Sequence, residues 1–413
     1  MKALVLAGGF PQISLIKELQ KRGYFVILAD YNDEPVAKKF CDKFYKVSTL
    51  DIDAIKNVAI SENVDIVITV CTDQALLTVA KVSEDLGLPC YIDYKTALNV
   101  TNKQYMKKVF IENGIPTARF VITDDIEKCD LSSFRYPIIS KPVDCNSSKG
   151  VIKSETYTQL VQSFAISKEL SRTKTAIVEE FIDGTELTVD AMINDGVATL
   201  LSVSVSEKIK DNNKFVIYRT INPANISNLI EDKIKDTIQK IADAFKLRDC
   251  PLLVQLLTDG NEIYVVEFSA RTGGGVKFLL IEEASGVDII KFVVDLTEGK
   301  KDKPVISERK YKYLVNEFIY CCDGVFDKLL NFDELKAQGI ISDYYLFKWQ
   351  GAKFSGISNS GDRVAGFTIK TNDVNLLIKN HNIAKEQLKV IDINGNDIMK
   401  HELLCDIDPG FFK

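Results

Sequence analysis

Histidine is almost missing from this chain. His381 and His401 are the only two among 413 residues. That leaves little room for a histidine metal cluster or for histidine-based catalysis. Cysteine occurs nine times, at Cys41, Cys71, Cys90, Cys129, Cys145, Cys250, Cys321, Cys322 and Cys405, and never as a CxxC pair. An odd count without a framework reads as reduced thiols in a cytoplasmic protein. No run of about 18 apolar residues occurs, so no transmembrane helix and no membrane partner is expected. The opening MKALVLAGGF is too short for a secretion signal with its cleavage site. A basic excess is missing too: 52 basic against 58 acidic residues give a net charge of −6, which argues against a nucleic-acid partner. Low-complexity segments and internal repeats are absent. What remains is 46% hydrophobic and 27% charged, the composition of a globular protein. The length exceeds the ~250–300 residues at which one core stops growing, so two to four domains are expected.

The N-terminal stretch alternates. Strands at Ala3–Leu6, Phe25–Ala29, Asp65–Val70 and Leu88–Tyr91 are interleaved with helices at Ile13–Arg22 and Gln74–Leu86. This predicts a parallel α/β layer. Ligands of such layers sit at the carboxyl ends of the strands, where Gly8, Gly9, Asp30 and Asp73 fall. Two readings stay open there: a small-molecule pocket, or a tight glycine turn with two helix-capping aspartates. Tyr94–Gly114 reads as helix and carries Lys103 and the pair Lys107-Lys108. Strands are predicted near Ala118–Ile122, at Tyr136–Lys141 and at Ala176–Phe181, with a helix over Tyr157–Leu170. Two hairpins follow, Glu186–Ile193 with Ala198–Ser206 and Leu252–Leu257 with Glu262–Phe268. Helices are predicted at Leu229–Phe245 and Gly286–Gly299. After the charged linker Lys300–Lys303, strands at Tyr313–Tyr320 and Arg363–Lys370 mix with helices at Leu330–Gln338 and Val374–His381, an α+β tail.

Chemistry concentrates in Glu262–Gly275, EIYVVEFSARTGGG. Glu267 stands in an otherwise apolar strand, where an unpaired charge is costly. A cation is the usual reason for such an acid. Arg271 and the bare amides of Gly273, Gly274 and Gly275 suit an anion. Together they suggest a metal-bound phosphate meeting a second anionic group. Lys141 closes a buried strand ahead of a loop containing Ser147, Ser148 and Gly150, whose amides and hydroxyls suit a polyphosphate. Lys103 is placed upstream to reach the same phosphates. The plainer readings are a lysine in solvent and an ordinary loop. In VEEFIDGTE, Glu179 and Phe181 share one strand face and Glu180 and Ile182 the other. The edge near Phe181–Ile182 offers a purine an apolar slot, and Glu186 can accept from ribose hydroxyls. The alternative is an edge strand with a solvated acidic face.

The order of these segments resembles the ATP-grasp superfamily over roughly residues 1–300. NKQYMKKVFIENGIPTARF, PIISKPVDCNSSKGV, VEEFIDGTELTVD and VVEFSARTGGG each look like the family's. The resemblance implies an α/β chain of ATP-grasp fold. An N-terminal Rossmann-like parallel domain would span 1–93. The ATP-grasp domain would span 94–300, with a lid at about 115–182, and an α+β C-terminal domain 304–413. It implies ATP and Mg²⁺, with Mn²⁺ as the alternative ion. Lys103, Lys141 and Lys208 would contact phosphates, and Ser147, Ser148 and Gly150 would lie in the loop closing over them. Glu179 would face the adenine amino group, with Phe181 and the backbone of Glu180 and Ile182 along the ring. Glu186 would hold the ribose. Gln255, Glu267 and Ser269 would hold metal, Ser269 standing where the family commonly has asparagine. Arg271, Lys141 and Gly274 would serve the transfer step. Gly8, Gly9, Asp73, Arg219, Arg271 and Gly273–Gly275 would surround the substrates.

The implied reaction activates a small-molecule carboxylate as an acyl phosphate and joins it to an amine, releasing ADP and phosphate. Two other readings stand beside it. One is a carbamoyl-phosphate-synthase-like or biotin-carboxylase-like enzyme using bicarbonate. The other is a non-catalytic ATP-binding regulatory subunit, for which Ser269 gives a foothold. SGDRVAGFTIKTND, an amphipathic helix and LKVID look like the closing domain of carboxylase-like and amino-acid-ligase-like members. There is no biotin-carrier motif and no glutaminase-like section, so ammonia, as nucleophile, would come from solution or another subunit. A homodimer is the common outcome for such enzymes.

Overall fold

The computed structural model describes residues 1–145, 150–209 and 216–412. The N-terminal strands form a parallel sheet in the order Lys43–Lys46, Phe25–Asp30, Lys2–Leu6, Ile66–Ile68. Ala3, Leu4, Val5 and Leu6 are fully buried, the continuous apolar run that a sheet covered on both faces requires. Two L-residues, Ala7 at φ 71° and Cys71 at φ 61°, adopt the left-handed region just past the carboxyl ends of adjacent strands. The expected strand at Leu88–Tyr91 does not form. Pro89 has no N–H for a ladder, and the Leu88 N–H instead closes the preceding helix on the Ser83 carbonyl.

The predicted helix over Tyr94–Gly114 is two helices, Tyr94–Thr101 and Lys103–Glu112. Asn102 divides them. Its side chain accepts the Tyr105 N–H at 3.0 Å, an N-cap of about 1 kcal/mol, and this sets Lys103 on the first turn of the second helix. A four-stranded antiparallel sheet follows in the order Phe120–Thr123, Ala176–Glu180, Ile138–Pro142, Ile152–Ser154. The helix Tyr157–Leu170 packs Leu160 and Phe164 against it.

The largest sheet has eight strands, in the order Ile263–Ser269, Cys250–Thr258, Thr185–Asn194, Val197–Lys208, Ile217–Asn222, Tyr313–Ile319, Ala365–Thr371, Asp343–Leu346. Ile230, Ile234, Ile238 and Ile241 of the helix Asn228–Ala244 pack on it. Their spacing of three or four makes one helix face. The tail beyond residue 304 therefore extends this sheet with three of its strands. The link is Ile217–Asn222, which pairs with Val197–Lys208 on one side and Tyr313–Ile319 on the other. Sequence patterning did not single out that strand. A small sheet of Lys353–Phe354, Gly324–Leu330 and Lys389–Asp392 completes the strands. Among the described residues no helix is long and apolar enough to cross a membrane.

Candidate active site

Two cavities share one wall. The first, about 600 Å³, is lined by Ile139, Phe181 and Ile182 from the four-stranded sheet side and by Leu257 and Val265 from the eight-stranded sheet. The second, about 970 Å³, is lined by Gly9, Cys71 and Asp73 at the N-terminal strand ends, and by Arg271 and Gly273–Gly275. Lys208, Gln255 and Glu267 line both. Gln255 and Glu267 lie directly opposite each other on neighbouring antiparallel strands, so their side chains share a face. The register shifts immediately after, between Gln255 and Leu256, the kind of bulge that re-aims a side chain beside a site.

In the first cavity three lysines meet two carboxylates. Lys103 Nζ lies 2.9 Å from Glu267 and donates to the Cys145 carbonyl at 2.7 Å. Lys141 bonds one oxygen of Glu179. Lys107 Nζ lies 3.0 Å from the other oxygen, an ion pair without hydrogen-bond alignment. Burial alone would lift Glu179, but Lys107 and Lys141 hold it down at about 2. At Lys141 burial wins: Glu179 opposes it, but Lys107 and Lys103 repel, and its pKa falls to about 8. Burial also works against the charge on Glu267, and Lys103 overcomes it and keeps that carboxyl below the usual range. Within this cluster three ammoniums face two carboxylates, a local positive surplus that favours a polyanion.

Glu179 is thus committed to lysines and does not present itself to a purine, a correction to its expected role. Phe181 and Ile182 do line the cavity, and Lys153 Nζ sits 4.4 Å from the centre of the Phe181 ring. The Glu180 N–H donates to the Arg119 carbonyl at 3.0 Å, so that amide is not available along a ring edge. Glu186 bonds Lys208 through one oxygen, while its Oε1 is buried without a hydrogen-bond partner. Ser147 and Ser148 lie outside the described residues. Gly150, at φ 75°, would bring a Cβ within 2.7 Å of Leu170 Cδ1, so only glycine fits.

In the second cavity Asp73 holds Arg271 bidentately, Nε to Oδ1 at 2.8 Å and Nη2 to Oδ2 at 2.5 Å. Burial would raise Asp73, but Arg271 and the Ser269 hydroxyl keep its pKa below the usual value. Ser269 donates to Asp73 Oδ1, which turns its hydroxyl away from the metal role expected of it. Gly273 leaves no space for a side chain: a Cβ there would approach Lys277 Cγ to 2.8 Å. Beneath it Asp190 is 2% exposed with neither oxygen hydrogen-bonded. Burial raises Asp190 to about 6 and lowers Lys277 to about 8.

Two expected substrate contacts lie elsewhere. Gly8 donates its N–H to Asp30 Oδ2 at 2.7 Å, and a Cβ on it would stand 2.5 Å from Pro35 Cβ. Gly8 thus sits in the turn and Asp30 accepts its N–H rather than capping a helix, whereas Gly9 and Asp73 face the cavity. Arg219 is 1% exposed. Its guanidinium bonds Glu317 and the Cys405 carbonyl, and reaches Glu207 at 3.0 Å and His381 Nε2 at 3.3 Å. A guanidinium so enclosed cannot reach a substrate.

Glu267 and Gln255 offer a carboxylate and an amide oxygen side by side. Mg²⁺ is typically bound by one or two carboxylates together with substrate phosphates, and this donor pair fits that mode. Among the described residues no cluster of three or more His, Cys, Asp or Glu could hold an ion alone. Lys107, Lys277 and Arg363 also line the cavities; sequence patterning assigned none of them a role in the site, and Lys107 stood out only as one of a lysine pair. Lys107 lies one helical turn from Lys103, and that spacing was a usable signal. Lys277 and Arg363 reach the cavity only through tertiary packing.

The ATP-grasp domain model matches residues 134–278, from the strand before Lys141 past the glycine loop. The carbamoyl phosphate synthase large chain of Clostridium acetobutylicum is 23% identical over 82% of this chain and 33% of its own length. The chain therefore spans about a third of that relative. Phosphoribosylglycinamide synthetase from Anaerococcus prevotii has a TM-score of 0.76 at 19% identity, covering 95% of this chain and 99% of that one. The biotin carboxylase domain of the Hydrogenobacter thermophilus 2-oxoglutarate carboxylase, in complex with MgADP, ADP and bicarbonate, has a TM-score of 0.79 at 14% identity, over 98% and 92%. These likenesses define the architecture as an ATP-grasp fold. Residues 134–278 match the domain of a family that uses ATP with Mg²⁺.

Proposed function

We propose that this protein is an ATP-dependent ligase that activates a small-molecule carboxylate as an acyl phosphate and joins it to an amine, releasing ADP and phosphate. The observation that carries the reading is the shared wall, since Lys208, Gln255 and Glu267 face both cavities. Adenosine lies against Phe181 and Ile182, with Glu186 Oε1 accepting from the ribose. The phosphates lie among Lys103, Lys141 and Lys208. Glu267 and Gln255 hold Mg²⁺, which when bound offsets phosphate charge. Arg271, oriented by Asp73, receives the charge of the transferred phosphoryl group. The amides of Gly273–Gly275 stabilise the oxyanion formed when the amine attacks. Enclosure between the sheets keeps water from the acyl phosphate. This scheme needs neither histidine nor an enzyme nucleophile.

A second cavity of about 970 Å³ is at the upper end for small-molecule sites and supports substrates larger than bicarbonate. The working division is 1–93, 94–300 with its lid at about 115–182, and 304–413. The nine free cysteines support a reducing compartment, hence the cytoplasm. The test is phosphate release across a grid of carboxylates crossed with amines. Release that requires one particular carboxylate together with an amine is expected. Release driven by amines with every carboxylate omitted would contradict the proposal.

A further inference from the structure

Arg363 differs from both Arg271 and Arg219. Arg271 is paired with Asp73 and Arg219 with Glu317. Arg363 has no carboxylate within ion-pair distance among the described residues. Its neighbour Asp362 turns instead to Ser358 and Asn359. Yet the guanidinium is rigidly set. Its Cζ lies over the Phe318 ring, 3.6 Å from the centroid. Nε donates to the Tyr320 hydroxyl at 3.0 Å and Nη2 to the Ile217 carbonyl at 3.1 Å. Nη1 lies 3.4 Å from the point where a Cβ on Gly275 would stand. Arg363 therefore lines the second cavity beside one end of the glycine loop, and Arg271 precedes the other end. Gly275, at φ 68°, leaves the space beside Nη1 open.

A cation held by an aromatic face and two neutral acceptors, and left without a counter-charge, is built to receive an anion. The reacting carboxylate belongs at the shared wall with Arg271 and Glu267. An attacking amine must be neutral at nitrogen, so it needs another handle to orient it. We infer that the amine substrate carries a carboxylate of its own, and that Arg363 receives it through its free N–H groups. The amine is thus of the amino-acid type rather than ammonia or a simple alkylamine. This inference rests on the ligase reading for the identity of the second cavity, but it is tested by binding rather than turnover.

The experiment is saturation-transfer NMR on the MgADP-loaded protein. The probes are a mixture of the common L-amino acids, the matching amines without their carboxyl groups, and phosphoethanolamine with a set of dicarboxylic acids. One or a few amino acids should bind, with their carboxyl-free amines weaker by roughly 10–100-fold. Arg363→Gln should remove the amino-acid signal and Arg363→Lys retain part of it, while both variants bind ADP as the parent does, which shows that they fold. Equal binding of the carboxyl-free amines would overturn the inference. So would amino-acid binding that survives Arg363→Gln, binding of dicarboxylic acids or phosphoethanolamine only, or no binding at all. Failure of the ligase reading looks different: amino acids bind through Arg363, but no carboxylate–amine pair releases phosphate.

Discussion

The eight-stranded sheet handles buried charge in two opposite ways across its width. On Ile217–Asn222 and Tyr313–Ile319, the Arg219 guanidinium meets Glu317, Glu207, His381 and the Cys405 carbonyl. Anions outnumber the cation there, and Arg219, Glu317 and His381 are at most 1% exposed. On Cys250–Thr258 and Ile263–Ser269, together with the neighbouring helix and four-stranded sheet, Lys103, Lys107 and Lys141 share Glu179 and Glu267. Cations outnumber anions there, and the group opens on a cavity. Both halves set basic side chains against glutamates. The sign of the surplus and the access to it separate scaffold from site.

Breaking the closed half should have the largest effect. Arg219→Ala leaves Glu317 buried without its partner and should cost about 3–5 kcal/mol in urea unfolding, with the folded fraction keeping its turnover. An equally stable variant would end the contrast. Arg271→Ala, in the open half, should instead lower turnover by roughly 100–1,000-fold with ATP affinity little changed. A loss confined to ATP affinity would move Arg271 away from the reacting phosphoryl group.

A smaller effect sharpens the comparison through pH. Burial lowers Lys141 to about 8, so the free protein loses this charge as pH rises through that value, and phosphate favours its return. ATP binding should then take up a proton near pH 8, and affinity should fall with further rise in pH, by at most about tenfold per unit for one proton. Calorimetry in two buffers of different ionisation enthalpy reads the uptake; none at pH 8 would mean that the lysine stays charged. The smallest expected effect is Asn102→Ala, which removes the cap ahead of Lys103 at about 1 kcal/mol and should weaken ATP binding slightly. A fully retained helix stability would show that packing alone sets Lys103.

Much of the architecture was legible because it is local. Apolar strands alternating with amphipathic helices indicated the parallel layer, and Asp-Gly at 195–196 marked a hairpin that forms. Lys103, Lys141, Glu267 and Arg271 stood out by type and order, and all four line the cavities. Pairing was not legible, because it depends on who faces whom after folding. Glu179 gives its oxygens to two lysines from different elements, and Ser269 gives its hydroxyl to an aspartate 196 positions away. Arg219 looked available until Ile217–Asn222 proved to be an interior strand. Arg363 carries no local pattern, and only the approach of Phe318 and Gly275 gives it a place.

The central claim is that Glu267 makes one magnesium–nucleotide site of two cavities. The direct measurement compares ATP binding with and without Mg²⁺, alongside ADP formation, in the parent protein and Glu267→Gln. The account predicts that Mg²⁺ strengthens ATP binding in the parent, that the variant loses this advantage and forms no ADP, and that it still binds metal-free ATP. Full turnover with an unchanged magnesium advantage in Glu267→Gln would contradict it.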